Sequence, residues 1–333
     1  MFKREIAIIC IFSMLLLLAS CGAGESVRQI YVMDSVASIR LIPKNEAAAD
    51  LICKELYDMD NVLSAYDGEV YDINRNGEGK ASRHTEALLR SSLELYEKTN
   101  GAFSPLLGSV IDLWGIGSKN YIPSQAEKEN AVAASDIGNV AIEGDVIRLS
   151  GGARLSFGAV AKGYASDVIK SVLEEQEVEG AVISLGGNVY VHGKKPDGEL
   201  WRVAIRDPRG GENSWLGTLL LSDRFVISSG DYERYFEQSG VRYHHIMDPE
   251  TGSPAQSDLA AVAVICESGV VGDAYSTALY VMGKEKALSF WREGEGFELV
   301  LVGRDGVVTV TEGVADAFAP ESGKGYSYET ARR

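Results

Sequence analysis

Three stretches carry residue types whose spacing could support chemistry. The first is Tyr243-His-His-Ile-Met-Asp-Pro-Glu-Thr-Gly-Ser-Pro254, which holds two of the chain's four histidines. Val241 to Met247 alternates as a strand, so Tyr243, His245 and Met247 share one face while Arg242, His244 and Ile246 share the other. Asp248-Pro249 ends the pairing, because proline donates no hydrogen bond and restricts the residue before it. A histidine at the rim of such a turn can exchange a proton near neutral pH. The same pattern also describes a hairpin with ordinary surface histidines.

The second stretch is Gly272-Asp-Ala-Tyr-Ser-Thr-Ala-Leu-Tyr280, which reads as a helix. Asp273 and Thr277 stand four apart and project from one face. A carboxylate and a hydroxyl are hard oxygen ligands of the kind Mg²⁺ takes beside waters and phosphate oxygens. An acidic residue near a helix start is also favourable with the dipole alone. In the third stretch, Gly158-Ala-Val-Ala-Lys-Gly163, small residues turn a strand into a helix and offer backbone amides to a phosphate. Close helix–strand packing explains that turn equally well.

The elements that must hold these stretches follow from periodicity. Val27 to Ile42 reads as extended, and Asn45 caps a helix through Ile52, Leu56, Met59 and Leu63. A loop with Tyr66, Asp67-Gly68 and Asn74 follows, then a helix capped by Thr85 and closed by Asn100-Gly101. Residues 101–117 read as loop. Strand signals recur at 140–142, 146–149, 155–157, 181–185, 189–192, 201–206, 216–221, 224–229, 241–247, 259–266, 299–302 and 307–310. Many of these strands are joined by short turns. That spacing predicts an α+β fold with a substantially antiparallel sheet, and the polar residues 321–333 read as a tail.

Composition narrows the partners. A net charge of −16 makes nucleic acid and anionic headgroups poor general partners. Lys3 and Arg4 precede an apolar run from Ile6 to Leu18, the pattern of a signal peptide over residues 1–20. Leu18-Ala-Ser-Cys21 resembles a bacterial lipobox, which implies cleavage before Cys21 and a lipid on its thiol. Residues 21–26 would then tether a domain at 27–320 to the extracytoplasmic face of a bacterial membrane. No later segment is long and apolar enough to span a bilayer. Cys53 and Cys266 could pair in an oxidising compartment, and without CxxC spacing no thiolate zinc cluster is available. GxSxG, HExxH, Walker A and GxGxxG patterns are absent.

The ordered set of short segments resembles the ApbE family, the FAD:protein FMN transferases, from about Tyr31 to Gly283. The matching segments run from Met33-Asp-Ser35, Leu63-Ser-Ala-Tyr66 and Asn74 to Gly101-Ala-Phe-Ser-Pro105 and Asp112-Leu-Trp-Gly-Ile-Gly117. Phe157-Gly-Ala-Val-Ala-Lys-Gly-Tyr164, Ser184-Leu-Gly-Gly-Asn188, Ser229-Gly-Asp-Tyr-Glu233, His245-Ile-Met-Asp-Pro-Glu-Thr-Gly252 and Asp273-Ala-Tyr-Ser-Thr277 complete it. The resemblance implies an ApbE-like, T-fold-like architecture. It also implies FAD as substrate, Mg²⁺ as cofactor, and transfer of FMN to a Thr or Ser hydroxyl of an acceptor protein with release of AMP. Carried over by position, His245 is the catalytic base, and Asp273, Thr277 and the Ala159 carbonyl hold the metal. Met33, Tyr66, Ala102, Phe103, Ser104, Ser156, Lys162 and Met247 contact FAD. Two positions depart from the family pattern, since Ser104 and Ser156 stand where it usually has Asp. Both exchange a charged acceptor for a neutral one. An FAD pyrophosphatase and a non-catalytic flavin-binding lipoprotein are the alternatives.

Overall fold

A computed structural model describes residues 24–211 and 213–333; the signal segment and Cys21 lie outside the described residues. The centre is a nine-stranded sheet. Its spatial order follows chain order through Ser26–Val32, Ser35–Ile42, Gly180–Leu185, Asn188–Gly193, Arg224–Gly230, Leu259–Cys266, Phe297–Gly303, Val307–Thr311 and Ser327–Ala331. Every neighbouring pair is antiparallel except the last, so the α+β expectation with largely antiparallel pairing holds.

Eight helices are present among the described residues: α1 Glu46–Leu63, α2 Glu69–Asn76, α3 Arg83–Lys98, α4 Gly108–Trp114, α5 Gln125–Ala134, α6 Ala161–Glu175, α7 Gly269–Glu293 and α8 Glu312–Ala315. The sheet separates two cores. Val262, Val264 and Cys266 face the helical side with Ile52, Leu56, Ile169 and Leu279. Ala261, Ala263 and Ile265 face a second core closed by the three-stranded sheet of 201–206, 215–221 and 318–320. All eight residues of Leu259–Cys266 are therefore buried, as a strand covered on both faces must be. Full burial of each larger aliphatic side chain contributes about 1.5–3 kcal/mol.

Several expectations change. Ser82, not Thr85, caps α3, its hydroxyl accepting from Thr85 N at 3.5 Å. Residues 69–76 and 108–114 are helices where loops were expected. The first begins after Gly68, at φ 84, where a Cβ would lie 1.9 Å from the Asn61 carbonyl oxygen. The strand expected at 155–157 reduces to a single bridge between Arg154 and Leu107. The presumed tail at 321–333 is corrected in part: Ser327–Ala331 pairs in parallel with Val307–Thr311 and closes the sheet edge. Its backbone hydrogen bonds and the Tyr328 ring on the second core supply what its polar side chains do not advertise. Cys53 and Cys266 are both free thiols, and Cys266 Sγ donates to Ser268 O at 3.0 Å.

Candidate active site

The helical side of the sheet leaves a cavity of about 590 Å³. Its innermost corner is built where α6 crosses α7. Gly163 and Gly269 meet there so closely that a Cβ on Gly163 would lie 2.2 Å from Gly269 O and 2.7 Å from Asp273 Cβ. Asp167 of α6 locks the crossing by accepting from Gly269 N at 2.6 Å, Val270 N at 2.8 Å and Ser268 Oγ at 3.1 Å. The helix start is thus capped from a neighbouring helix.

This contact orients Asp273. Gly163 N donates to Asp273 Oδ2 at 2.8 Å, so that amide of the small-residue turn is committed to a carboxylate inside the protein. Asp273 is 6 % exposed, and burial pushes its pKa up against the opposing charge of Lys162. Thr277, one turn along α7, lies 3.5 Å from Ser229 Oγ, which also bonds Ser276 Oγ at 2.8 Å. Ala159 lies on the same cavity wall, in the turn where Val160 N and Ala161 N both bond Phe157 O. Asp273, Thr277 and Ala159 therefore converge on one cavity.

His245 enters from the opposite side. The expected strand over 241–247 is interrupted: Val241–His244 pairs with Tyr235–Gln238, and Met247–Asp248 pairs separately with Ser253–Pro254. The faces still alternate. Tyr243 and Met247 pack with Trp114 in a small satellite cluster, whereas Ile246 turns into the main core. Buried His244 bonds the Ala255 carbonyl through Nε2 at 3.1 Å, a structural role. Half-buried His245 reaches the cavity, and its Nδ1 lies 3.2 Å from the Arg234 carbonyl oxygen. A carbonyl only accepts, so Nδ1 carries the proton in this contact and Nε2 keeps its lone pair. Desolvation by the cavity wall, aided by the Arg234 charge, pushes the imidazole pKa down to about 3. At neutral pH His245 is uncharged and able to accept a proton.

The flavin candidates line the same cavity. Met33 and Asp34, both at φ 53, form the tight turn between the first two strands. Ala102, Phe103 and Ser104 belong to a loop stitched to 154–156 by Ser156 N to Pro105 O at 2.8 Å and Gly108 N to Arg154 O at 3.1 Å. Phe103 is buried in the main core, and the Ser104 hydroxyl accepts from Leu106 N at 3.2 Å. Lys162 spans the Gly186 turn, and Met247 is 4 % exposed. Tyr66 stands at the mouth, 71 % exposed, on a turn made by the Ser64 hydroxyl.

Residue-by-residue reasoning gave no role to Asn188, Ser229, Glu233 or Arg234, which also line the cavity. Their segments are short and polar, and only tertiary contact brings them there. Desolvation pushes the Glu233 pKa up, with Lys162 the chief opposing charge. The wall carries the carboxylates Asp34, Asp60, Asp112, Glu233 and Asp273 against the cations Lys119, Lys162 and Arg234. Among the described residues no three His, Cys, Asp or Glu side chains group as a metal-ligand cluster. The available donors are instead one carboxylate, one hydroxyl and one carbonyl. That hard set fits a divalent cation completed by water and phosphate oxygens. A buried carboxylate such as Asp273 also requires a compensating charge.

Comparison with known proteins shows the family and the fold. The model of the ApbE family matches residues 33–301. An FAD:protein FMN transferase of Treponema pallidum is 32% identical over 330 residues, covering 89% of this chain and 91% of that protein. One of Klebsiella pneumoniae is 29% identical, covering 87% and 92%. Among solved structures, the ApbE protein of Thermotoga maritima superimposes with a TM-score of 0.76 at 29% identity, covering 90% of this chain and 97% of that one. The apo flavinyl transferase ApbE of Pseudomonas stutzeri gives 0.77 at 29% identity, covering 89% and 98%.

Proposed function

This chain belongs to the ApbE family, and from that premise we propose that it is a Mg²⁺-dependent FAD:protein FMN transferase. It cleaves the FAD pyrophosphate, joins FMN by a phosphoester bond to a Thr or Ser hydroxyl of an acceptor protein, and releases AMP. The observation that carries this reading is that His245, its Nδ1 facing the Arg234 carbonyl, lines the same cavity as Asp273 and Thr277.

The acceptor hydroxyl passes its proton to His245 Nε2 as its oxygen bonds the FMN phosphorus. The bond from that phosphorus to the bridging oxygen breaks, and AMP leaves with the electron pair. The Arg234 carbonyl holds the Nδ1–H, so the ring presents one nitrogen to the acceptor. Lys162 offsets phosphate charge from the helix start, and Tyr66 offers its ring to one of the aromatic systems of FAD. Bound Mg²⁺ would neutralise phosphate charge and align the reacting group. With five carboxylates and three cations on the wall, an anionic dinucleotide needs such a countercharge. Asp273, Thr277 and the Ala159 carbonyl are the residues that would hold it.

The lipobox-like residues before Cys21 further support a lipid anchor that holds the domain at the extracytoplasmic face of the membrane. Incubation with FAD, Mg²⁺ and an acceptor protein should add the mass of FMN to the acceptor and liberate AMP. Free FMN and AMP without an adduct would establish a pyrophosphatase instead. Flavin binding without either product would leave a non-catalytic binder.

A further inference from the structure

Behind the cavity, on the far side of His244, a polar cluster joins the two halves of the site without lining it. Its hub is Arg304, just after the strand Phe297–Gly303 and three residues past the family match. Arg304 Nη2 donates to Asp231 Oδ2 at 2.5 Å and to Tyr280 Oη at 3.2 Å, while Nε donates to Ser257 O at 2.8 Å. Asp231 has a side chain only 5 % exposed, and its Oδ1 lies 3.9 Å from Arg242 Nη1 on the strand that leads into His245.

Tyr280 sits three residues beyond Thr277 on α7, and its ring meets His244 edge-on at 5.5 Å and 86°. One guanidinium therefore ties together the residue after Arg224–Gly230, the helix carrying Asp273 and Thr277, and the loop before Leu259, and its partners Asp231 and Tyr280 in turn adjoin the histidine strand. Only arginine offers a planar fork that can serve three acceptors in fixed directions; a lysine ammonium is a point donor on a flexible stem.

We propose that the Arg304–Asp231–Tyr280 cluster is a positioning clamp that sets the separation between His245 and the Asp273–Thr277 pair. None of its members touches substrate. The inference rests on the transferase reading for its kinetic consequence but not for its structural one. In transfer between two held groups, small misplacements reduce turnover without weakening binding, and a shift of about 1 Å costs up to about 100-fold.

The test uses the whole chain with Arg304→Gln, Arg304→Lys and Tyr280→Phe, assayed well below each variant's Tm. Arg304→Gln should lower kcat about 10- to 100-fold, with the KM for FAD and the affinity for Mn²⁺ within about twofold of wild type. Arg304→Lys, which keeps the charge beside Asp231 but not the link to Tyr280, should fall between. Tyr280→Phe, which keeps the ring against His244, should show a smaller loss in the same direction.

In ¹⁵N histidine spectra, wild-type His245 should show the Nδ1–H tautomer, and Arg304→Gln should shift its signal or mix the tautomers. An unchanged kcat per folded molecule in both arginine variants overturns the clamp. So does a parallel loss of FAD and Mn²⁺ affinity, which marks general loosening. Should the wild type neither bind FAD nor transfer FMN, the functional reading fails, and the spectra decide the clamp alone: an unmoved His245 signal in Arg304→Gln overturns it.

Discussion

The inner corner and the outer rim of the cavity are held in opposite ways. In the corner, Asp273 is fixed by a backbone amide from a helix in direct contact with its own. At the rim, Tyr66 rests on a four-residue turn and is 71 % exposed. The candidate metal ligands Asp273 and Thr277 are mounted on a packed helix, where a small displacement disturbs many contacts. Of the candidate flavin contacts, Met33, Tyr66, Ala102, Phe103, Ser104 and Ser156 sit on turns and loops, which tolerate exchange, while Lys162 is on α6 and Met247 on a short strand. Ser104 and Ser156, the departures from the family pattern, both fall among the loop contacts.

Loss of the corner should be the most damaging change. Asp273→Asn should abolish metal-dependent transfer while leaving the metal-free protein at least as stable as wild type at neutral pH. The sign follows from its raised pKa. The native carboxyl binds its proton more tightly than the unfolded one, so its contribution is full below about pH 4. That contribution is lost as pH rises through the higher native value. Thermal melts of the two proteins without metal should therefore diverge in favour of the asparagine as pH rises. Gly163→Ala belongs to the same side of the comparison. Its Cβ would force α6 from α7, at a cost of about 1–3 kcal/mol, and transfer should fall with the displaced Asp273.

His245→Ala comes next, with kcat lower by about 10²- to 10⁴-fold and FAD binding retained, as read by steady-state transfer and fluorescence titration. Because the His245 pKa is pushed to about 3, wild-type kcat should show no inflection attributable to this histidine from pH 8 down to 5. A fall centred near 6.5 would place the working pKa at the ordinary histidine value.

Changes among the loop contacts, at exposed Tyr66 and buried Ser104, should be smaller and should act on affinity. Tyr66→Ala should raise the Kd for FAD by roughly fivefold, the equivalent of about 1 kcal/mol of aromatic contact. Ser104→Asp should tighten FAD by only about two- to fivefold, since a charged acceptor bonds more strongly but must also be desolvated. A loop-contact variant that lowered kcat as far as His245→Ala would erase the distinction between the two regions.

Much of the site was legible because it depends on local rules. Alternation around Tyr243 to Met247 separated His245 from His244, even though the ladder itself is broken between them. Four-residue spacing put Asp273 and Thr277 on one helical face. Helices α2 and α4 were hidden, since each is short and α2 is entered through a glycine at positive φ. The last strand was hidden because Tyr328 and Ala331 alone carry its packing, one on each face of the sheet.

What the sequence by itself determined was therefore periodic or punctuated: the alternation of strands, the cap at Asn45, the largely antiparallel pairing, and the face on which each reactive side chain would project. Tertiary structure alone decided which faces meet. The contact of Gly163 with Gly269, the commitment of an amide to Asp273, the tautomer imposed on His245 by Arg234, and the Arg304 hub all join residues distant in the chain or placed by a turn. Such contacts depend on closing long loops against a common core. Their energy comes from packing and paired polar groups that no local pattern encodes.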